Sequence, residues 1–414
     1  MDGLSRRNIV LAGGALGALG ALGALGATSP ASARSLWTWS PGDSIAGAGE
    51  GVDPEWVWDD EVDRLIASVI DRGDVPKVNE QLRTWTRNDQ AAPSGLPQDV
   101  REFIDKARQL PDWADRDKLE TAAKFNETRG FYLNVLNGIG GGMLSTAIPR
   151  EARAVYYSKG GADMEDRVAK TSTLGFAVGD LNAYRADGDC IVQAVKTRMV
   201  HAAVRHLLPR SPGWTQVSGG QKIPISQADI LVTWHSLATY AMGKLLEWKV
   251  PVSSAESGAY LHLWQVTVHM LGVQDQYIPK TWDAANAQSK QVLDPILTST
   301  KEGVELTDIL LGQLAEQTSP GGVDRPLCNA LARHLVGDRV ADMDRIPREP
   351  FWERTIATVW PKLVAFREGL LPLPLVPPLA WTVDEAARQY ILAFLTKGKG
   401  TVIEIPDTNR PSGR

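Results

Sequence analysis

The amino-acid sequence predicts an all-α fold, and three observations support that prediction. Apolar residues recur at the 3.6-residue spacing of a helix through most of the chain, as they do along 61–70. Strand-like alternation is nearly absent, and 401–405 is the one good candidate for a strand. The connections between periodic segments carry Pro or Gly, as in 209–213 and 319–322. We therefore expect helices joined by short turns.

Helices are predicted wherever apolar residues line one helical face. The predicted helices are 61–70, 98–109, 116–136, 162–184, 189–208, 226–247, 256–271, 286–299, 304–316, 325–337, 352–369 and 383–396. The segment 370–378 is apolar but rich in Pro, so it is expected to lie over the helices as an extended strap. No break in composition divides the chain. We expect one helical domain over 61–405, with an irregular arm over 34–60 before it and a polar tail over 406–414 after it.

The first 33 residues are predicted to be a twin-arginine export signal. Residues 5–10 read Ser-Arg-Arg-Asn-Ile-Val, and 31–33 read Ala-Ser-Ala, which is typical of a cleavage site. The Ala/Leu/Gly run between them is too weakly apolar for a membrane span. Twin-arginine export carries proteins that are already folded, often because a cofactor is inserted beforehand. The sequence thus predicts a secreted protein and hints at a cofactor.

Composition and cysteine content exclude several classes of protein. The net charge of -5 over 414 residues disfavours nucleic-acid binding, which usually needs a basic stripe. Cys190 and Cys328 are the only cysteines, so the chain is not a disulfide scaffold. The sequence leaves open whether they pair or stay as buried thiols. No Cys-x-x-Cys-His motif occurs, which excludes covalently attached c-type haem.

The glycine-rich run 138–142 resembles a nucleotide-binding loop only superficially. Its last glycine is missing, and the preceding residues predict a helix rather than a strand. The small residues are better explained by close approach of the backbone to something flat or bulky. His-Glu-x-x-His, Gly-x-Ser-x-Gly and P-loop motifs are also absent from the sequence.

Among the six histidines, His201 has the surroundings that best suit a metal ligand. Arg198, His201 and Arg205 fall within about 60° of one another on one helical face. Two guanidiniums beside the imidazole would lower its pKa and keep a lone pair free for a metal. The same arginines could pair with carboxylates, such as those of a haem. Their neighbours in sequence are small or apolar, so this helix is expected to be buried.

A second group of polar residues lies earlier in the chain. Arg167, Lys170 and Thr171 share one face of a predicted helix, at spacings of three and four residues. Glu151 precedes them in the run Pro-Arg-Glu-Ala-Arg. From spacing alone, these residues fit an exposed face as well as a site.

The stretch 149–206 resembles the core of the latex clearing proteins, the rubber oxygenases. The resemblance is carried by the segments 163–176 and 198–205, and a Trp-His-Ser-Leu block at 234–237 extends it. It implies a globin-like helical core with additional helices at both ends. That core would hold one non-covalent haem b, with O2 as co-substrate.

The resemblance also implies a role for each candidate residue. His201 would be the proximal iron ligand, and Lys170 would cap the iron on the distal side when substrate is absent. Arg167 and Thr171 would border the distal pocket, and Glu151 would be the polar group nearest the substrate. A lysine binds iron only through its neutral amine, and an apolar pocket beside Arg167 favours that form.

The implied reaction is oxidative cleavage of the C=C bonds of cis-1,4-polyisoprene, which leaves aldehyde and ketone ends. Glu151 could remove an allylic proton, or it could only anchor water or orient Arg167, and the sequence leaves both readings open. The partners implied are the hydrophobic polymer and the twin-arginine export machinery, with the chain itself a monomer.

Three alternatives differ from this interpretation. A related haem or metal oxygenase would act on another prenyl-like or lipid substrate. A globin-like protein would bind haem without turnover, although it would not need the distal polar group of Arg167, Lys170 and Glu151. A non-haem metal site could use His262 and His269, which lie seven residues apart on one helical face.

Overall fold

The computed structural model describes residues 39–159, 164–221, 223–317, 324–369 and 402–409. Across these residues there is no β-strand, and the only β-type pairing is two isolated bridges. The all-α prediction is therefore confirmed.

The α-helices of the described stretches are numbered in chain order. The first eight are α1 (Asp60–Asp71), α2 (Val75–Arg83), α3 (Gln98–Ala107), α4 (Arg116–Asn134), α5 (Gly142–Thr146), α6 (Pro149–Tyr157), α7 (Met164–Gly179) and α8 (Cys190–Leu207). The remaining ones are α9 (Pro212–Val217), α10 (Gln227–Trp234), α11 (Tyr240–Glu247), α12 (Ser254–Met270), α13 (Trp282–Val292), α14 (Lys301–Gln317), α15 (Arg325–Met343) and α16 (Pro350–Arg367). Of these, the sequence did not predict α2, α5, α6 or α9.

Helix α8 lies at the centre of the fold and is buried on almost every side. Its residues Val192, Val195, Met199 and Ala203 have no exposed surface. Helix α1 packs along α8, and α7 and α12 also contact it. Burial of this kind is expected for a helix whose apolar residues continue around its circumference. The helix predicted to carry a metal ligand is thus an interior helix.

Two segments of π-helix interrupt the α-helices and contact each other. Val135–Gly141 joins α4 to α5, and His235–Thr239 joins α10 to α11. A Cβ atom at Gly140 would overlap the Tyr240 hydroxyl and lie 2.8 Å from Cε1 of that ring. The predicted close approach at the glycine run is confirmed, and the bulky partner is Tyr240, the first residue of α11. Such π-helical segments are frequent at functional sites.

Helix ends account for most differences from the predicted boundaries. Helix α12 begins after Ser253, whose hydroxyl accepts from the backbone N–H of Glu256 in a capping box. Helix α15 continues past its predicted end at 337, but Gly337 breaks it with φ 78° and ψ 163°. The kink leaves the carbonyl of Leu335 to accept a 2.9 Å hydrogen bond from the hydroxyl of Tyr240.

The strand expected at 401–405 is not formed where the structure describes it, from 402 onward. The side chain of Asn79 replaces a partner strand, since it accepts from the N–H of Ile405 and donates to its carbonyl, both at 2.9 Å. Ile403 and Ile405 are buried, so their alternation reflects packing against α2 rather than sheet pairing. Beyond them, the side chain of Asn409 donates to the carbonyl of Leu207 at 2.6 Å, which anchors the start of the predicted tail.

Several predictions concern residues outside the described stretches. These are the export signal at 1–33, the turn at 319–322, the strap at 370–378 and the helix at 383–396. The limits of the single domain also stay a prediction, although Trp37–Arg414 forms one compact unit. Among the described helices, none has the length and apolar character that crossing a membrane requires.

The contact between the π-helical segments leads to a test with a matched control. Gly140→Ala should lower the free energy of unfolding by about 1–3 kcal/mol, because the new methyl group must displace the ring of Tyr240. Gly138→Ala should be neutral or should raise it by up to about 1 kcal/mol, since a Cβ there has no neighbour within 4 Å. Denaturant unfolding of the two variants measures the difference. Equal stability of the two would show that the close contact at Gly140 does not exist in solution.

Candidate active site

His201 lies in the middle of α8 with its ring enclosed by protein. Burial is the main cause that lowers the pKa of this imidazole to about 3, and the nearby guanidiniums of Arg205 and Arg167 lower it further. The predicted pKa lowering is confirmed, although Arg167 rather than Arg198 is the second cation. The Nδ1 atom is buried, and no hydrogen-bond partner for it exists among the described residues. The ring is therefore neutral at physiological pH, as a metal-ligating histidine must be.

Glu151 sits in the first turn of α6, two residues after the proline that starts the helix. Its Oε1 atom accepts a 2.6 Å hydrogen bond from the hydroxyl of Thr233 on α10. Burial raises the pKa of Glu151 to about 8; the Thr233 hydrogen bond and Arg167 oppose this shift, while Asp229 adds to it. The side chain is thus mostly protonated at neutral pH, yet it can change its protonation state within the physiological range.

Helix α7 carries the other three candidate residues. Burial lowers the pKa of Arg167 to about 10, and the carboxylate of Glu151 opposes that shift, so the guanidinium stays charged. Lys170, one turn further on, is half-buried, and Thr171 is exposed. Arg167 is the link between the two halves of the site, because it acts electrostatically on both Glu151 and His201.

Glu151, Arg167 and His201 form one group of ionisable side chains, which Arg167 links electrostatically. Each is surrounded by protein atoms, so that burial is the largest cause of its pKa shift. Each nevertheless keeps an intermediate accessible surface. The structure thus brings a carboxyl group, a guanidinium and a neutral imidazole to one interior region.

Arg198 and Arg205 are both bound by carboxylates of α1 and the residue before it. Arg198 Nη2 donates to Asp59 Oδ1 at 3.0 Å, and Arg205 Nε donates to Asp63 Oδ1 at 2.7 Å. Sequence reasoning missed both acidic partners, which lie about 140 residues earlier. The two ion pairs fasten α1 across the face of α8 that carries His201. A role for these arginines toward the carboxylates of a cofactor stays a prediction.

Three other histidines, His235, His262 and His269, make hydrogen bonds within the protein. Both ring nitrogens of His235 have partners at 2.8 Å, Thr239 Oγ1 and Gln288 Oε1. His262 Nε2 accepts from the backbone N–H of Asp115 at 2.8 Å, and His269 Nδ1 lies 2.7 Å from Asp275 Oδ1.

These contacts argue against the non-haem alternative, in which His262 and His269 bind a metal. Trp113 packs edge-on against both His262 and His269, with ring centroids at 5.8 and 5.6 Å. Within the part of the chain that the structure describes, no group of three His, Cys, Asp or Glu side chains could hold a metal ion. The structure does not support a metal site at these two histidines.

The structure answers whether the two cysteines pair. Cys190 and Cys328 are both buried and both free. Burial raises the pKa of the Cys190 thiol to about 12, so it stays protonated and unreactive. Neither thiol takes part in the internal site described above.

Internal ionisable groups of this kind, held at fixed positions on interior helices, are typical of an enzyme active site rather than of a binding surface. The profile of the family described as "ER-bound oxygenase mpaB/B'/Rubber oxygenase, catalytic domain" matches residues 129–366, which include every candidate residue. The chain belongs to this family and is an oxygenase.

Two relatives support that assignment. A protein described as "Rubber oxygenase" from Streptomyces sp. (strain K30) is 62% identical over 412 residues, which span 100% of each chain. A solved structure described as "Structure of Latex Clearing Protein LCP in the closed state" has 62% identity and a TM-score of 0.82. That match covers 89% of this chain and 99% of the other. The resemblance inferred from the stretch 149–206 is thereby confirmed.

The raised pKa of Glu151 gives a pH dependence of stability with a definite sign. The folded-state pKa of about 8 lies above the ordinary value of 4.5, so stability from this group is complete below pH 4.5 and is lost as pH rises through 8. Glu151→Gln should therefore gain stability relative to the unmodified protein across this window, by up to about 1.4 kcal/mol per pH unit. Urea unfolding at several pH values measures the difference.

Glu120→Gln, which alters a surface carboxylate, is the control and should show a much smaller slope of stability against pH. A flat difference for Glu151→Gln would contradict the burial of this carboxyl group.

Proposed function

We propose that this chain is a secreted haem b dioxygenase that cleaves the C=C bonds of cis-1,4-polyisoprene into oligo-isoprenoids with aldehyde and ketone ends. The observation that carries the proposal is the neutral His201 ring, which lies within electrostatic reach of Arg167, as Glu151 does. The 62% identity to a protein described as a rubber oxygenase supports the same substrate class. The predicted twin-arginine signal supports secretion through that export machinery.

The residues at the site fit a haem. A neutral imidazole with a low pKa supplies the nitrogen lone pair that iron requires. Its buried Nδ1 has no partner among the described residues, so the ring keeps a nitrogen that other protein groups do not satisfy. His201 would bind the haem iron, and Lys170 would be a second residue that can bind it at rest. Arg198 and Arg205 would add positive charge near the haem carboxylates, in addition to their pairs with Asp59 and Asp63.

Haem, when bound, would bind and activate dioxygen. The protein would position the substrate, exclude water and transfer protons. Arg167 places a fixed positive charge beside Glu151, which favours the ionised form of that carboxyl group. Burial acts in the opposite direction and is the stronger effect. A carboxyl group poised near neutral pH in this way suits a general base that removes an allylic proton from an isoprene unit and later returns it. Thr171, whose side chain is exposed, would border the distal pocket.

The cofactor assignment is tested with a pair of histidine variants. His201→Ala should abolish haem b in a pyridine haemochrome assay, because the iron loses its proximal ligand. His206→Ala is the matched control. It lies on the same helix, but its Nε2 atom is 3.2 Å from Asp71 Oδ1 near the surface. It should keep the full haem content, and oxygen uptake on polyisoprene latex should follow haem content in both variants.

A protein that carries no haem after cofactor-replete expression would overturn the proposed mechanism. If His201→Ala retains haem, another residue must be the iron ligand. Full haem content without oxygen uptake on latex, but with uptake on small terpenoids, would overturn the polymer substrate alone.

The role of Lys170 is tested by the visible spectrum of the resting enzyme. Lys170→Ala should change the resting absorption bands, because the haem iron would lose one of the residues that bind it, while haem content stays the same. Lys170→Arg should behave like Lys170→Ala, since a guanidinium does not give up its proton to bind iron. A spectrum that is unchanged in both variants would show that Lys170 does not bind the iron.

A further inference from the structure

Thr233 on α10 has one hydroxyl proton and two acceptors within reach. Its Oγ1 atom lies 2.6 Å from Oε1 of Glu151 and 3.1 Å from the backbone carbonyl oxygen of Asp229. A threonine hydroxyl has one donor hydrogen and two lone pairs, so it can donate to only one of these acceptors at a time. Which acceptor receives the hydrogen depends on whether Glu151 itself carries a proton.

The two arrangements follow from the chemistry of the carboxyl group. An ionised Glu151 is an acceptor only, so the hydroxyl of Thr233 must donate to it. A protonated Glu151 becomes a donor, and its O–H can point at Oγ1 of Thr233. The threonine then turns its own hydrogen to the carbonyl of Asp229, four residues back, which is the ordinary bond of a threonine inside a helix. Both arrangements use the same three atoms at the distances observed.

We propose that Thr233 is a positioning residue that keeps Glu151 hydrogen-bonded in both of its protonation states by turning one hydroxyl between two acceptors. The inference rests on the proposed function, in which Glu151 takes up and returns a proton during cleavage. The exchange conserves protons, because Glu151 gains and loses one while Thr233 keeps its own and only changes its direction. A buried carboxyl group that lacked such a partner would leave a polar atom unsatisfied in one of the two states.

The frame around this pair is held by further hydrogen bonds. The carboxylate of Asp229 accepts from both the N–H and the hydroxyl of Ser226, at 2.9 and 3.0 Å, and so caps α10 at its start. Arg150 Nε lies 3.3 Å from the other oxygen of Asp229. The charge of Asp229 is therefore paired, and its backbone carbonyl is fixed as the second acceptor for Thr233.

The charged and titratable groups that surround Glu151 come from every element packed on α6. Arg167 on α7 and Asp229 on α10 act on Glu151 directly. The others contact partners of their own: Arg150 with Glu55, Arg153 with Glu302, Tyr157 with Glu302, and Tyr156 with Glu305. Thr233 donates the hydrogen bond to Glu151 that can reverse in this way.

The test measures the protonation of Glu151 directly in the haem-loaded enzyme. Infrared difference spectroscopy across a pH titration should show a C=O stretch of a protonated carboxyl group, identified as Glu151 by its disappearance in Glu151→Gln. Thr233→Val keeps the shape of the side chain but removes the hydroxyl. Its titration midpoint should rise by about one pH unit, because the ionised form loses its donor. Thr233→Ser keeps the hydroxyl and should stay close to the unmodified protein.

A matched control separates this effect from a general loss of packing. Thr267 on α12 also donates to a carbonyl four residues back, at 2.8 Å, and its second partner is the hydroxyl of Tyr184 at 2.7 Å. Thr267→Val therefore removes a comparable buried hydroxyl without a carboxylate beside it. It should leave both the infrared midpoint and the pH profile of kcat unchanged, whereas Thr233→Val should shift both together.

The outcomes distinguish the two proposals. A midpoint that stays in place in Thr233→Val, with the protein folded, would overturn the role of Thr233. Equal shifts in Thr233→Val and Thr267→Val would overturn it as well, since the effect would then be structural. Full activity of Glu151→Gln would overturn the base role of Glu151, yet the infrared midpoint would still report whether Thr233 controls its proton. If Thr233→Val does not fold, the contrast between Thr233→Ser and Thr233→Ala serves the same purpose.

Discussion

The structure depends on one constraint, which is the burial of ionisable groups around the central helix α8. His201 stays neutral because its ring is removed from water and has two guanidiniums nearby. The same exclusion of water brings Glu151 close to neutral pH and leaves Arg167 as its counter-charge. Water at this position would return all three groups to their ordinary protonation behaviour. The chemistry of the site is therefore a consequence of how tightly the helices around α8 enclose it.

Keeping water away from these groups requires that the surrounding helices stay in place. Two sets of contacts in the fold hold them. On one side, Arg198 and Arg205 fasten α8 to the start of α1 through Asp59 and Asp63. On another side, the two π-helical segments contact each other, and Gly140 leaves room for the ring of Tyr240 at the start of α11. Buried ion pairs add little net stability, but removing one partner would leave an uncompensated buried charge.

Proton handling at the site combines residues from distant parts of the sequence. Glu151 lies on α6, and its hydroxyl partner Thr233 lies on α10, 82 residues later. The family block at 234–237 begins at the residue after Thr233. The motif therefore marked this part of α10, but it did not include Thr233. Nothing in the spacing of Thr233 distinguishes it from any other helical threonine, because its role is defined by a partner on another helix.

The sequence by itself determined the helical class, the position of most helices, the family, and the residue types of the site, because periodicity and local motifs are properties of contiguous residues. It failed at Ile403 and Ile405, where alternation means packing against α2, and it did not predict the short helix α6. Only the tertiary structure decided that Cys190 and Cys328 stay free, that His262 and His269 are held by their own neighbours, and that Glu151 shares its surroundings with Arg167 and Thr233. These outcomes depend on distances between residues far apart in the chain, and on the exclusion of water that close packing produces, neither of which a local pattern records.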